Sequence, residues 1–534
     1  MAPVEPDAVS RSNIGAVSLF AGQVLLVLGC TAKVLFTTRR ASQSLPPTTT
    51  TRGQEPLRRR HAFVFSCIAF LSLASVTAFA VTWRASSYLD WAEHHKHDIP
   101  NSLWTGWRGT GDKGVGIWRF GDWLSDKNLI VESDSVAVAR PEGFLFTNEH
   151  FVGLLASSIL FGVEGRRRNL SVYTVASFVI LGAIGSLGYA LSLFFITMLY
   201  TPLSVHSGDN RYDDTLFAPK PVVYNVPIVL SAIGISILPS LLKRNLHDDI
   251  LRYGYVAVPL FLAFAPKIVP ASWGRHHASK SSAHRSFSKA FYVLSLLSFV
   301  LHWKSLAFAI SVNTPQKNSH IYDLVINLGR QKSSTPDRLL AGLAATASNL
   351  KLVSKDPTVS VTTSDIFFST ISLLTWAFTR DLDVSSILQN SALSFLSGHS
   401  SEKHVEFADQ VQKVPEETSE AEADLPATTP KKRGRPKKAS LTNGASSGTT
   451  SKGTLRRSTR NKSHSDYESD AESTYKPSAA EREVVAQTEA DGVQSEDLVH
   501  GGEATALALA LAFLGGLGQL AAAVLGAEVT STNE

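Results

Sequence analysis

The sequence predicts an all-α fold: a polytopic helical membrane bundle of seven or eight spans, a long disordered C-terminal tail, and a last apolar run long enough for one more helix. Three observations carry this. Long charge-free apolar runs recur through residues 1–400, whereas 401–503 has almost none and is rich in Ser, Thr, Glu, Lys and Ala. The mean hydropathy of +0.04 therefore averages two different polymers, which excludes both a single water-soluble enzyme and a wholly disordered chain. The two cysteines, Cys30 and Cys67, both lie in apolar runs, so neither a disulfide framework nor a CxxC-type metal site can be built.

Roughly 20 apolar residues cross a hydrocarbon layer about 30 Å thick. Ile14–Phe36, Ala62–Trp83, Ser171–Tyr200, Val222–Leu242 and Lys289–Ser311 meet this requirement. Phe144–Val163, Tyr253–Pro270 and Ser364–Thr379 meet it less well. The first carries Asn148, Glu149 and His150 near one end, the second holds Pro259, Pro266, Lys267 and Pro270, and the third is short before Arg380. The first span differs from a cleaved signal peptide in its length and in having only Arg11 ahead of it.

Arg39, Arg40, Arg52 and Arg58–Arg60 follow the first span, so the positive-inside rule makes that loop cytoplasmic and the N-terminus luminal. Arg166–Arg168 falls on the same side two crossings later. Asp209, Asp213 and Asp214 suit a luminal loop at 201–221. Treating the proline-broken Tyr253–Pro270 as re-entrant gives seven crossings before residue 400, and keeps the basic 271–289 loop cytoplasmic. Counting it as a crossing gives eight.

Six of the nine tryptophans lie between Trp83 and Trp123. Indole is amphipathic, so the 84–143 loop reads as an aromatic belt capping the luminal side, with a ligand-binding lid as the other reading. Asp90, Glu93, His94, His95, His97 and Asp98 include metal-ligand spacings, but they lack a second ligand set and read as a solvated patch, so no metal or other cofactor is assigned. Ionisable groups at membrane depth are costly and mark functional sites by default. Glu149 and Lys267 are the candidate intramembrane polar pair, with His302 and Lys304 behind them. No phosphate loop, GxSxG or dinucleotide fingerprint is present, so no catalytic residue is named and enzymatic activity stays open.

The tail is charge-blocked: acidic over 401–430, ten Lys and Arg with no acid over 431–460, acidic again beyond 466. Within the basic block, Lys431, Lys432, Arg433, Gly434, Arg435, Pro436, Lys437 and Lys438 form a compact run. This run resembles the AT-hook, a short motif built around Arg-Gly-Arg-Pro. The resemblance implies A·T-rich DNA as partner: Arg433 and Arg435 enter the narrow minor groove, Gly434 allows close approach, Pro436 keeps the chain extended, and the lysines neutralise phosphates. The same residues suit the nuclear import machinery or an anionic lipid surface.

Residues 504–526 form the last apolar run, with Gly518, Ala522 and Gly526 on one small-residue face. About residues 14–380 resemble multi-spanning membrane proteins of filamentous fungi, a likeness that rests on no sharp motif and implies no activity. Two functions follow as expectations. One is a protein of the endoplasmic reticulum or inner nuclear membrane whose tail touches DNA. The other is a membrane-embedded enzyme or transporter with a regulatory tail.

Overall fold

The computed structural model describes residues 13–43, 55–100, 118–127, 140–201, 217–243, 249–277, 280–314, 335–396 and 498–530, with isolated positions at 129, 132 and 136. The hook residues 431–438 lie outside them. The described residues are almost wholly helical: α1 Ile14–Gln43, α2 Glu55–His94, α3 Phe120–Asp126, α4 Pro141–Arg167, α5 Val172–Ile180, α6 Leu187–Tyr200, α7 Pro221–Lys243, α8 Asp249–Ile268, α9 Lys280–Asn313, α10 Thr335–Val353, α11 Pro357–Thr379, α12 Val384–Gln389 and α13 Leu498–Thr530. Two three-residue strands, β1 Phe217–Pro219 and β2 Gly274–His276, pair antiparallel.

Among the described residues six helices are long and apolar enough to cross a membrane. Many of their exposed mid-helix positions are apolar, for example Leu25, Leu28 and Phe36 on α1 and Phe63, Phe70 and Leu71 on α2, while Ser72, Ser157, Ser192, Thr197 and Asp365 of the bundle are buried. A soluble protein distributes these residue types the other way round. The chain is an integral membrane protein whose polar groups converge inward.

One predicted span is corrected. Ser171–Tyr200 does not cross; it folds back. In a straight helix Phe178 and Phe194 would stand roughly 24 Å apart, yet their ring centroids are 4.9 Å apart and both meet Phe161 of α4. Thr174 and Thr197, near the two ends of the segment, reach the adjacent Thr37 and Thr38 of α1. The turn comprises a π-helical Leu181–Gly185 and an extended Ser186. Gly182, Gly185 and Gly188 weaken the helix there, and the Ser186 hydroxyl caps α6 by accepting from the Tyr189 N–H.

The exchange is completed by α8, which runs beside α4 instead of turning back. Tyr255 lies at His150, Ala263 lies at Gly162, and Lys267 lines a crevice with Arg166. A Cβ on Gly162 would come within 2.1 Å of the Ala263 carbonyl oxygen, so this close approach requires glycine. Among the described residues before residue 400, α1, α2, α4, α7 and α9 are long and apolar enough to cross, and the shorter apolar α8 packs alongside α4.

The arginines that end α4 do more than orient the chain. Arg167 donates to the Val529 carbonyl at the end of α13 and to His284, and pairs with buried Glu164. Arg168 donates to the Met198 and Thr201 carbonyls at the end of α6. Cations there satisfy carbonyls left open by two helix C-termini. This end of the molecule is called the basic end below.

At the opposite end, Tyr88, Trp91 and Trp123 are buried together with Trp118 and Phe120 against them. Asn13 donates to Asp122 and the Trp91 indole to Asp126. Trp91, Trp118 and Trp123 thus form a packed aromatic cluster with Tyr88 and Phe120. Trp104 and Trp107 lie outside the described residues.

Candidate functional site

The interior polar groups gather around two consecutive residues of α4, Glu149 and His150, which face different neighbours because successive helical positions differ by about 100°. Each belongs to a carboxylate–histidine pair, and each pair abuts a helix that begins inside the bundle.

Asp365 of α11 is 4% exposed and accepts four hydrogen bonds. Its Oδ1 takes the Ser186 hydroxyl at 2.7 Å and the Gly188 N–H at 2.8 Å; its Oδ2 takes the Leu187 N–H at 2.8 Å and His150 Nε2 at 2.9 Å. The first-turn N–H groups of α6 have no partner within their own helix, and the positive end of the helix dipole faces the carboxylate. The fold-back therefore creates the site: a helix start at mid-depth holds a buried anion. Gly188 permits it, since a Cβ there would press on the Ser72 hydroxyl and the backbone of Phe368 and Ser369.

His150 continues the chain outward. Its Nδ1 bonds the Tyr255 hydroxyl, and the rings stack. With Nε2 protonated, His150 donates to Asp365 and accepts from Tyr255, so every heteroatom in Tyr255–His150–Asp365 is matched. Ser72 extends the network through Ser186, at 2.8 Å. Such a line of alternating donors and acceptors can relay a proton by shifting each one along by one bond.

Glu149 Oε1 lies 2.9 Å from His302 Nδ1 of α9, and both side chains are largely buried. Opposite them α13 is broken: Gly515 and Gly516 leave helical geometry, Gly516 with φ +72°. The carbonyls exposed by the break are taken up by Ser298, which donates to Gly515 at 2.9 Å, and by the Trp303 indole, which donates to Leu514 at 2.9 Å. A Cβ on Gly516 would meet the Glu149 carboxyl carbon at 2.6 Å, so two demands, conformation and space, select glycine.

Of the two residues named from sequence, Glu149 sits in this centre and Lys267 does not. Lys267 lines the crevice beside Gly162 and Arg166 at the basic end, roughly 20 Å along α4. The structure pairs Glu149 with His302. Sequence reasoning missed Asp365, whose signal was a lone acid early in an otherwise neutral apolar helix. The Asp90–Asp98 group lies at the far end of α2, with His95 and His97 packed on Trp91. Among the described residues no three His, Cys, Asp or Glu side chains are arranged to hold a metal. No family model, curated protein or solved structure matches the chain.

Proposed function

We propose that this chain is a proton-translocating membrane carrier in which Asp365, His150 and Tyr255 form the relay. The observation that supports this best is the buried Asp365 carboxylate held by the mid-bundle start of α6 and joined to His150. Irregular backbone at membrane depth occurs where it lines a site, and half-helix ends are where transported ions and anions are held. Intramembrane carboxylate–histidine chains serve as proton relays. The test is reconstitution into liposomes holding a pH-sensitive dye, with a potassium diffusion potential as driving force. Wild type acidifies the lumen; Asp365→Asn and His150→Phe, each shown to be folded, run at the empty-liposome rate. Wild-type flux equal to that of empty liposomes sinks the proposal.

A second reading belongs to the tail. We propose that residues 431–438 contact A·T-rich DNA from the endoplasmic reticulum or inner nuclear membrane. It is supported by the Arg433-Gly434-Arg435-Pro436 core and by the packing of Arg380–Asn390, which lead into the tail, against Glu528 and Thr530 at the basic end. A protease-protected tag at Ala445 in sealed microsomes rules it out.

A further inference from the structure

Gln519 is the unexplained residue of the interior. It is 0% exposed, and neither its Oε1 nor its Nε2 has a hydrogen-bond partner among the described residues. Leaving a buried amide without partners is destabilising, and leucine would fill the same space without that cost. Its position is informative. Its Oε1 lies against the break in α13, where a Cβ on Gly515 would come within 1.7 Å of it. The Glu149 carboxylate lies against the next residue, Gly516.

The break in α13 therefore has an unpaired amide oxygen beside Gly515, a carboxylate beside Gly516, and the Leu514 and Gly515 carbonyls at the end of its first half. Each carbonyl accepts one hydrogen bond, from Trp303 or Ser298, and keeps a second lone pair. His302 Nδ1 meets Oε1 of Glu149, which leaves Oε2 for another partner. An anion would meet the Glu149 charge. A proton would neutralise Glu149 but leave the Gln519 oxygen unpaired. A divalent ion of the calcium or magnesium type usually draws on more carboxylate and water oxygens than one Glu supplies. Unwound backbone carbonyls with one acidic group suit a singly charged ion.

We infer that the break in α13 is an alkali-cation site, with Glu149, Gln519 and the Leu514 and Gly515 carbonyls as ligands. It is separate from the relay, since it uses the other face of α4, and it stands whether or not protons pass through Asp365.

The experiment is the thermal midpoint of the full-length chain in detergent micelles, in NaCl, KCl, LiCl or choline chloride at equal ionic strength. A ligand that binds only the folded state raises the midpoint with its concentration. The expected result is a rise in at least one alkali chloride over choline. Gln519→Leu and Glu149→Gln lower the apparent cation affinity at least about tenfold, while Asp365→Asn leaves it unchanged. Gln519→Leu keeps the volume and removes the unpaired amide, so it folds even if Glu149→Gln does not. Identical wild-type midpoints in all four salts overturn the inference, as does a cation shift that persists in Gln519→Leu or in a folded Glu149→Gln. Failure here with Asp365-dependent proton flux intact removes the cation site alone; the reverse pattern removes the relay alone.

Discussion

At the scale of single residues, Asp365 links the interior most tightly, because four donors converge on one buried carboxylate. Removing one partner of a buried charged network leaves the rest uncompensated, at a cost of about 3–5 kcal/mol. Asp365→Ala should therefore lower the thermal midpoint in detergent far more than Asp365→Asn, which keeps an acceptor; equal midpoints for Asp365→Ala and wild type would show that the network is not stabilising. Asp383 acts on a smaller scale, as the N-cap of α12. Burial alone would raise its carboxyl, but hydrogen bonds from Ser385 and Ser386 outweigh it and hold it below the usual carboxylate range. A depressed carboxyl contributes stability above its unfolded value and loses it as pH falls through the folded value. The attachment of α12 should thus be unaffected at neutral pH and weaken in the acid range. Asp383→Ala should cost about 0.5–2 kcal/mol at pH 7 and flatten that acid dependence, as read by hydrogen exchange over 384–390.

At the scale of elements, the fold-back of α5 and α6 makes a prediction that a crossing helix cannot share. Single cysteines replacing Asn169 and Thr201, in a chain with Cys30 and Cys67 replaced, should be labelled by an impermeant maleimide from the same side of sealed vesicles. Labelling from opposite sides refutes the hairpin. Hydropathy located α1, α2, α7 and α9 because it counts apolar residues, and each is one continuous helix. It misassigned 171–200 because it carries no information about chain direction. The informative signs were local: Gly182, Gly185, Ser186 and Gly188 within seven residues. For α8 the prolines Pro259 and Pro266 suggested a break, yet the helix continues past both, its freed backbone groups lying within a packed bundle. Glu149 was legible as an acid in an apolar run. His302 and Gln519 became its neighbours only through tertiary packing of α9 and α13, which no spacing within one helix encodes.

At the scale of the whole molecule, the last helix is part of the interior. Residues 517–529 of α13 are all buried, between α4, α9, α11 and α12; Gly518 lies against Val152 and Ser298, and Gly526 against Asn390. Removing residues 405–490 while keeping α13 should leave a monodisperse protein, whereas ending the chain at residue 397 should leave aggregates on size exclusion. A well-behaved chain ending at 397 would show that α13 is dispensable. The C-terminal region is therefore not one unit, because 401–503 and 504–530 are different materials in one stretch of sequence.

That arrangement also sets a schedule for synthesis. When α11 leaves the ribosome, the slot that α13 fills is still open, and its walls carry Glu149, Trp376 and Arg380. About 118 residues separate the end of α11 from the start of α13, roughly 6–24 s of translation at 5–20 residues per second. Throughout that interval the nascent membrane domain lacks its central helix, so a prematurely terminated chain exposes buried charge to lipid, and only a chain read through to its last helix can close.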